Sequence, residues 1–159
     1  MRCTARWLLL FALTCLVSAC SGLHPTAISG PATASGTWLA SDTNSALLLQ
    51  LLEAKDGTVS GSADYVQAAT TDTGDPSQQT NLSVSGLRRN NDISLTINEG
   101  LGVTQTWAGK ITGSSIALQI PQRDGSLAAV TLKHGSTTSF NDGVTLLRNA
   151  VMQQRADRL

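Results

Sequence analysis

The side chains able to do chemistry in this chain are few and far apart. There are two histidines, His24 and His134, and three cysteines, Cys3, Cys15 and Cys20. A serine or cysteine nucleophile needs a base held against it, and the sequence has no Gly-x-Ser-x-Gly elbow or comparable turn to build one. His24 sits among small, turn-forming residues; His134 precedes Gly135 at the end of an alternating segment and reads as a surface histidine. Asp72 and Asp75, in Thr71-Asp72-Thr73-Gly74-Asp75-Pro76, lack the spacing of a calcium loop and read as a solvated loop. No His/Cys cluster offers a zinc site. The expectation is a protein that is not an enzyme and uses no metal or cofactor. Cysteine is the more informative type. All three lie within the first 20 residues and the other 139 contain none, so one thiol at this boundary, a nucleophile open to covalent modification, has no disulfide to serve.

Arg2 and Arg6 lead into an eleven-residue apolar run from Trp7 to Val17. Crossing a bilayer takes about 20 such residues, so the run reads as a secretory signal. It closes in Val17-Ser18-Ala19-Cys20, which resembles the lipobox of bacterial lipoproteins: a branched apolar residue and two small ones before cysteine, with valine standing where leucine is more usual. The resemblance implies that residues 1–19 are removed and that the Cys20 thiol carries diacylglycerol. Two or three acyl chains would then anchor the chain stably, where one would be marginal. A general signal peptide or an uncleaved anchor is the competing reading, and the confinement of cysteine to this segment favours lipidation. Ser21 stands where an aspartate would resemble an inner-membrane retention signal. In a diderm bacterium the resemblance therefore implies the outer membrane, facing the periplasm.

Without its signal the chain holds nine Lys+Arg against eleven Asp+Glu, close to neutral. No basic patch points to nucleic acid and no acidic block to a solvating tail. Residues 21–35 have no periodicity and read, with Cys20, as a lipidated tether over 20–35; as a flexible coil it spans roughly 20 Å. One domain follows over 36–159.

In that domain, short runs of period-two alternation separated by turn residues predict an all-β sandwich or barrel. Eight strands are expected, near 37–40, 46–54, 59–67, 81–87, 93–97, 103–111, 116–121 and 127–133. Ile93, Leu95 and Ile97 share one face, as do Ile116, Leu118 and Ile120; Asp124-Gly125 is the strongest hairpin signal. The run from Ala46 to Leu52 suits a helix equally on propensity, but Asp56-Gly57 and Val59-Ser60-Gly61 follow as a hairpin requires, so it is read as a strand. Val59-Ser60-Gly61, Val84-Ser85-Gly86 and Trp107-Ala108-Gly109 recur. Glycine weakens a strand, and tight coiling of a small closed barrel is one reason to find it there; chance in a glycine-rich chain is the other. Short links predict antiparallel neighbours in an up-and-down order. The tail, 141–158, places Val144, Leu147 and Val151 on one stripe and predicts an amphipathic helix against the barrel wall, capped by Asn141 or Ser139.

Ser35-Gly36-Thr37-Trp38 at the first strand of an eight-strand meander with a C-terminal helix resembles the lipocalin and avidin type of barrel. By the lipocalin resemblance Gly36-x-Trp38 places Trp38 as a plug at the closed end, with a basic residue late in the barrel over its ring; Lys133 or Arg148 is the expected partner. Thr106-Trp107-Ala108-Gly109 resembles an avidin strand, but the polar set and further tryptophans that hold biotin have no counterpart, so biotin binding does not carry over. An eight-stranded barrel either fills its interior or holds one small ligand. Tyr65 and Trp107 are the expected ligand contacts, each an aromatic face with one polar atom. The connection 69–80 is a candidate lid. The functional expectation is a membrane-anchored envelope lipoprotein that binds or carries a small hydrophobic ligand. The alternative is a structural or inhibitory envelope protein that binds a protein partner through its loops.

Overall fold

A computed structural model describes residues 33–69 and 74–158. The signal segment, Cys20, His24, nearly all of the tether and Asp72 lie outside the described residues. In order come β1 (Gly36–Ser41), β2 (Ser45–Glu53), β3 (Thr58–Ala68), β4 (Ser77–Arg89), β5 (Asp92–Gly100), β6 (Val103–Thr112), β7 (Ser115–Pro121), β8 (Leu127–His134) and α1 (Thr137–Ala156). Each strand pairs antiparallel with the one before it, and β8 returns to β1, so the sheet closes into an eight-stranded up-and-down barrel with one C-terminal helix. This is the architecture that the alternation predicts.

Turn chemistry enforces the order. Between β2 and β3, Gly57 takes φ +85°, a region glycine enters without a Cβ penalty, and Asp56 Oδ1 accepts the Thr58 N–H at 2.9 Å. Between β7 and β8, Asp124 Oδ1 accepts both the N–H and the hydroxyl of Ser126.

Two apolar layers hold the fold. Inside the barrel, Trp38, Leu49, Val59, Leu95, Ile111 and Ile116 belong to one fully buried cluster. Outside it, Ala46, Leu48 and Val66 pack against Phe140 and Val144 of α1. The wall under the helix is thus apolar on both faces. That explains why β2, with Leu47, Leu49 and Leu51 inward and Ala46 and Leu48 outward, shows no clean alternation and looks helical in sequence. The helix buries Phe140, Val144, Leu147 and Val151. It starts four residues before the predicted 141, because Ser136 rather than Ser139 or Asn141 is the N-cap: its hydroxyl accepts the Ser139 N–H at 3.0 Å.

The recurring glycines mark close backbone approach. A Cβ on Gly61 would lie 1.9 Å from the Gln50 carbonyl oxygen, one on Gly86 2.3 Å from that of Ser94, and one on Gly109 2.0 Å from that of Ala117. No side chain fits there, and the tight coiling of β3, β4 and β6 depends on the missing atoms.

The closure is uneven. β1 and β8 pair only at Trp38↔His134 and Leu39↔Lys133. β6 and β7 pair from Thr112↔Ser115 only as far as Ala108↔Gln119. β7 and β8, by contrast, stay paired out to Pro121↔Leu127. The tip of that hairpin therefore leans away from both neighbours, and the barrel is tight at one end and splayed at the other. β4 starts at Ser77, not near 81, because its pairing with β3 continues to Ala68↔Ser77. Gln78, Gln79, Thr80 and Asn81 gave no apolar signal for that extension.

Gly109→Val should lower the stability of the chain by about 3 kcal/mol, the upper range for forcing atoms into a packed site, read from the urea midpoint. An unchanged midpoint would mean that β6 and β7 do not approach as closely as described.

Candidate functional site

The tight end is plugged from within. Trp38 is fully buried, and its Nε1–H donates to the Ala34 carbonyl oxygen at 2.8 Å. The His134 imidazole stacks on the indole, with ring centroids 3.9 Å apart and planes 26° from parallel. The residue over the tryptophan is neither Lys133 nor Arg148 but His134, which is exposed, as a surface histidine is expected to be, while its ring covers the indole. At the end of β8 Leu132 is buried and Lys133 and His134 are both exposed, His134 lying against Trp38 across the β1–β8 pairing, while Arg148 lies on α1 and donates from Nε to Ser77 Oγ at 2.8 Å. Gly36, two residues before the tryptophan, has φ +136°, and a Cβ there would meet His134 Cε1 at 3.3 Å. The Gly-x-Trp spacing thus has a steric basis: the glycine leaves room for the ring that covers the tryptophan.

Below this stack a carboxylate laces the chain to the barrel base. Glu53 accepts the Ala34 N–H at 2.7 Å and the Thr33 hydroxyl at 3.1 Å through Oε2, and Arg88 Nε–H at 2.5 Å through Oε1. Its own N–H donates to Ser35 Oγ at 2.8 Å. Arg88 also donates to the Asn90 carbonyl oxygen. Burial works against the Glu53 carboxylate, but the Ala34 N–H, the Arg88 guanidinium and the Thr33 hydroxyl outweigh it and hold its pKa below the ordinary 4.5.

The splayed end is open. A half-open cavity of about 1190 Å³ lies there and runs out past the unpaired part of β8, where the exposed Ala129 and Thr131 also line it. Leu47, Leu82, Ile120 and Val130 give it an apolar wall, and both Tyr65 and Trp107 line it, so the two aromatic residues picked from sequence share one space. Trp107 is buried, and its Nε1–H donates to Gln105 Oε1 at 2.6 Å. Gln105 Nε2 in turn donates to the Pro121 carbonyl oxygen at 2.8 Å, bridging β6 and β7 where their ladder has ended. Gln67, Gln78, Gln122, Glu99 and Arg123 bring polar groups to the same cavity.

The candidate lid is shorter than expected, 69–76, and its described flank is held outside the barrel: the Gly74 carbonyl oxygen accepts Arg155 Nη1–H at 3.0 Å. Sequence reasoning missed Gln105, His134 and the Glu53–Arg88 pair. Gln105 was within reach, because counting by twos from Trp107 puts it on the same face of β6. Among the described residues, no three His, Cys, Asp or Glu side chains gather into a group that could hold a metal ion. Compared with family models, curated proteins and solved structures, the chain matches none.

Because Glu53 has a folded pKa below its ordinary value, it contributes stability above 4.5 that is lost as pH falls through the folded value. Urea midpoints should therefore fall on acidification below 4.5, and should fall less in Glu53→Gln, which cannot titrate. Equal acid sensitivity of both proteins would contradict the lacing. Trp38→Ala should cost about 3–5 kcal/mol by the same measurement; a small loss would show that the plug is dispensable.

Proposed function

We propose that this protein is a lipid-anchored envelope lipoprotein whose barrel holds one small amphipathic molecule. The observation that carries the reading is the polarity of the barrel: one end is closed by Trp38, with His134 stacked on it and Glu53 bonded to the chain before β1, and the other opens into the cavity lined by Tyr65 and Trp107. Apolar wall, aromatic floor and a few polar groups at the mouth make up the usual lining of a small-molecule site. Likeness to lipocalin and avidin barrels supports the same use of the same space.

The Val17-Ser18-Ala19-Cys20 sequence supports acylation of Cys20, and Ser21 supports passage to the outer membrane on its periplasmic face. Twelve residues lie between Cys20 and Thr33. Thr33 bonds to Glu53 at the closed end, so the tether meets the barrel opposite the mouth. In this reading the cavity opens away from the attachment point, and ligand is exchanged with the periplasm or with a partner there. Binding rather than catalysis is proposed, since the cavity brings polar amides and aromatic rings together.

A second reading, an envelope module that docks a protein, is favoured by one feature. The outer half of β8 has no ladder with β1, so its backbone offers an edge for an incoming strand. Cross-linking in cells would favour it if one protein neighbour recurred at Ala129 or Thr131.

Radiolabelled palmitate should enter the wild-type chain and not Cys20→Ala, which should also stay at precursor size; equal labelling would end the anchoring claim. Native mass spectrometry of the protein extracted from its own host should show a discrete small-molecule adduct that Trp107→Ala loses. Repeated isolation of the empty chain would end the ligand claim.

A further inference from the structure

We propose that the molecule held in the cavity carries an uncharged, hydrogen-bonding head group, a hydroxyl-rich or amide-bearing group on an apolar body. This rests on the ligand-binding reading above and states which chemistry the mouth selects. Four carboxamides line the cavity: Gln67 from β3, Gln78 from β4, Gln105 from β6 and Gln122 from the turn after β7. Gln67 and Gln78 face each other across the β3–β4 ladder. A carboxamide brings two N–H donors and an oxygen with two lone pairs. It can therefore both donate to and accept from a hydroxyl or amide, while adding no charge. Gln105 is held in place by its bonds to Trp107 and Pro121, which occupy one of its N–H groups and one lone pair and leave one of each to face a ligand.

The charges around this ring decide against an anion. Asp42, Glu99 and Asp124 line the cavity against a single cation, Arg123. Asp42 Oδ1 accepts the N–H groups of Asn44 and Ser45, and Asp124 accepts from Ser126, so two of the three carboxylates are fixed by their own turns. Those bonds also commit them, which weakens their hold on a cationic head group. An anionic head group would find one cation, Arg123, in a rim whose net charge is negative, and would lose water for little return. The groups left to recognise a head group are uncharged: the amides, of which Gln122 already donates one N–H to the Ile120 carbonyl oxygen, and the hydroxyls of Ser41, Tyr65 and Thr131.

The test uses the full chain in phosphatidylcholine nanodiscs and three photoactivatable dodecyl probes. They share one diazirine-bearing chain and differ only in carrying a glucoside, a carboxylate or a trimethylammonium. Adducts on peptides containing Tyr65 or Trp107 are counted by mass spectrometry relative to adducts on the nanodisc lipid, which corrects for partitioning. The glucoside should exceed the carboxylate by about tenfold, and the double variant Gln67→Leu, Gln78→Leu should lower glucoside labelling by about tenfold, the effect of losing two ordinary hydrogen bonds. Carboxylate labelling equal to glucoside labelling, strongest labelling by the trimethylammonium, or indifference to the double variant would each overturn the proposal. Absence of cavity adducts with every probe, while lipid is labelled normally, would overturn the ligand-binding reading instead.

Discussion

The indole of Trp38 and the imidazole of His134 meet where the last strand comes back to the first, and the shape of the molecule follows from that join. An open eight-stranded sheet has two unpaired edges, and closing it removes them. Here the two edges are joined by only two residue pairs, both at the tight end, with the ring stack on the inner side of the join. A seam made at one end leaves the strands free to part at the other. The cavity is the consequence: it lies where β8 has left β1 and β7 has left β6.

The two ends use polar groups differently. At the base, Glu53 and Arg88 are largely buried and committed to each other and to the backbone before β1, which tucks the incoming chain under the plug. A paired charge in that position resists rearrangement, since breaking it leaves the partner desolvated and alone. At the mouth, polar side chains face an open cavity, and Gln105 is the member tied into the wall through Trp107 and Pro121. Between the ends, the backbone contacts at Gly61, Gly86 and Gly109 draw the sheet into a narrow curl, and the helix covers the wall formed by β1, β2 and β3.

Much of the fold was legible in the residues. Where one face of a strand meets the core and the other meets water, as in β5 with Ile93, Leu95 and Ile97, alternation alone identifies it. β2 was ambiguous for a physical reason: α1 covers its outer face, so Ala46 and Leu48 are as buried as Leu47 and Leu49. The extension of β4 back to Ser77 was hidden because Gln78 and Thr80, opposite Gln67 and Tyr65, are polar and exposed instead of packing in the apolar core. Tyr65 and Trp107 were picked singly for their side-chain type, and only the barrel places them in one space. The stacking of His134 on Trp38 was not legible because that contact is across the closure. The pairing of first and last strand leaves no local trace in either segment. The Glu53–Arg88 pair, 35 positions apart, was illegible for the same reason.

The closure is best tested by nuclear Overhauser effects in the folded protein. Contacts between the Leu39 and Lys133 backbones, and between the Trp38 and His134 rings, should appear alongside those of the seven consecutive hairpins. Intact hairpin contacts with none linking β1 to β8 would show an open sheet, with neither plug nor cavity.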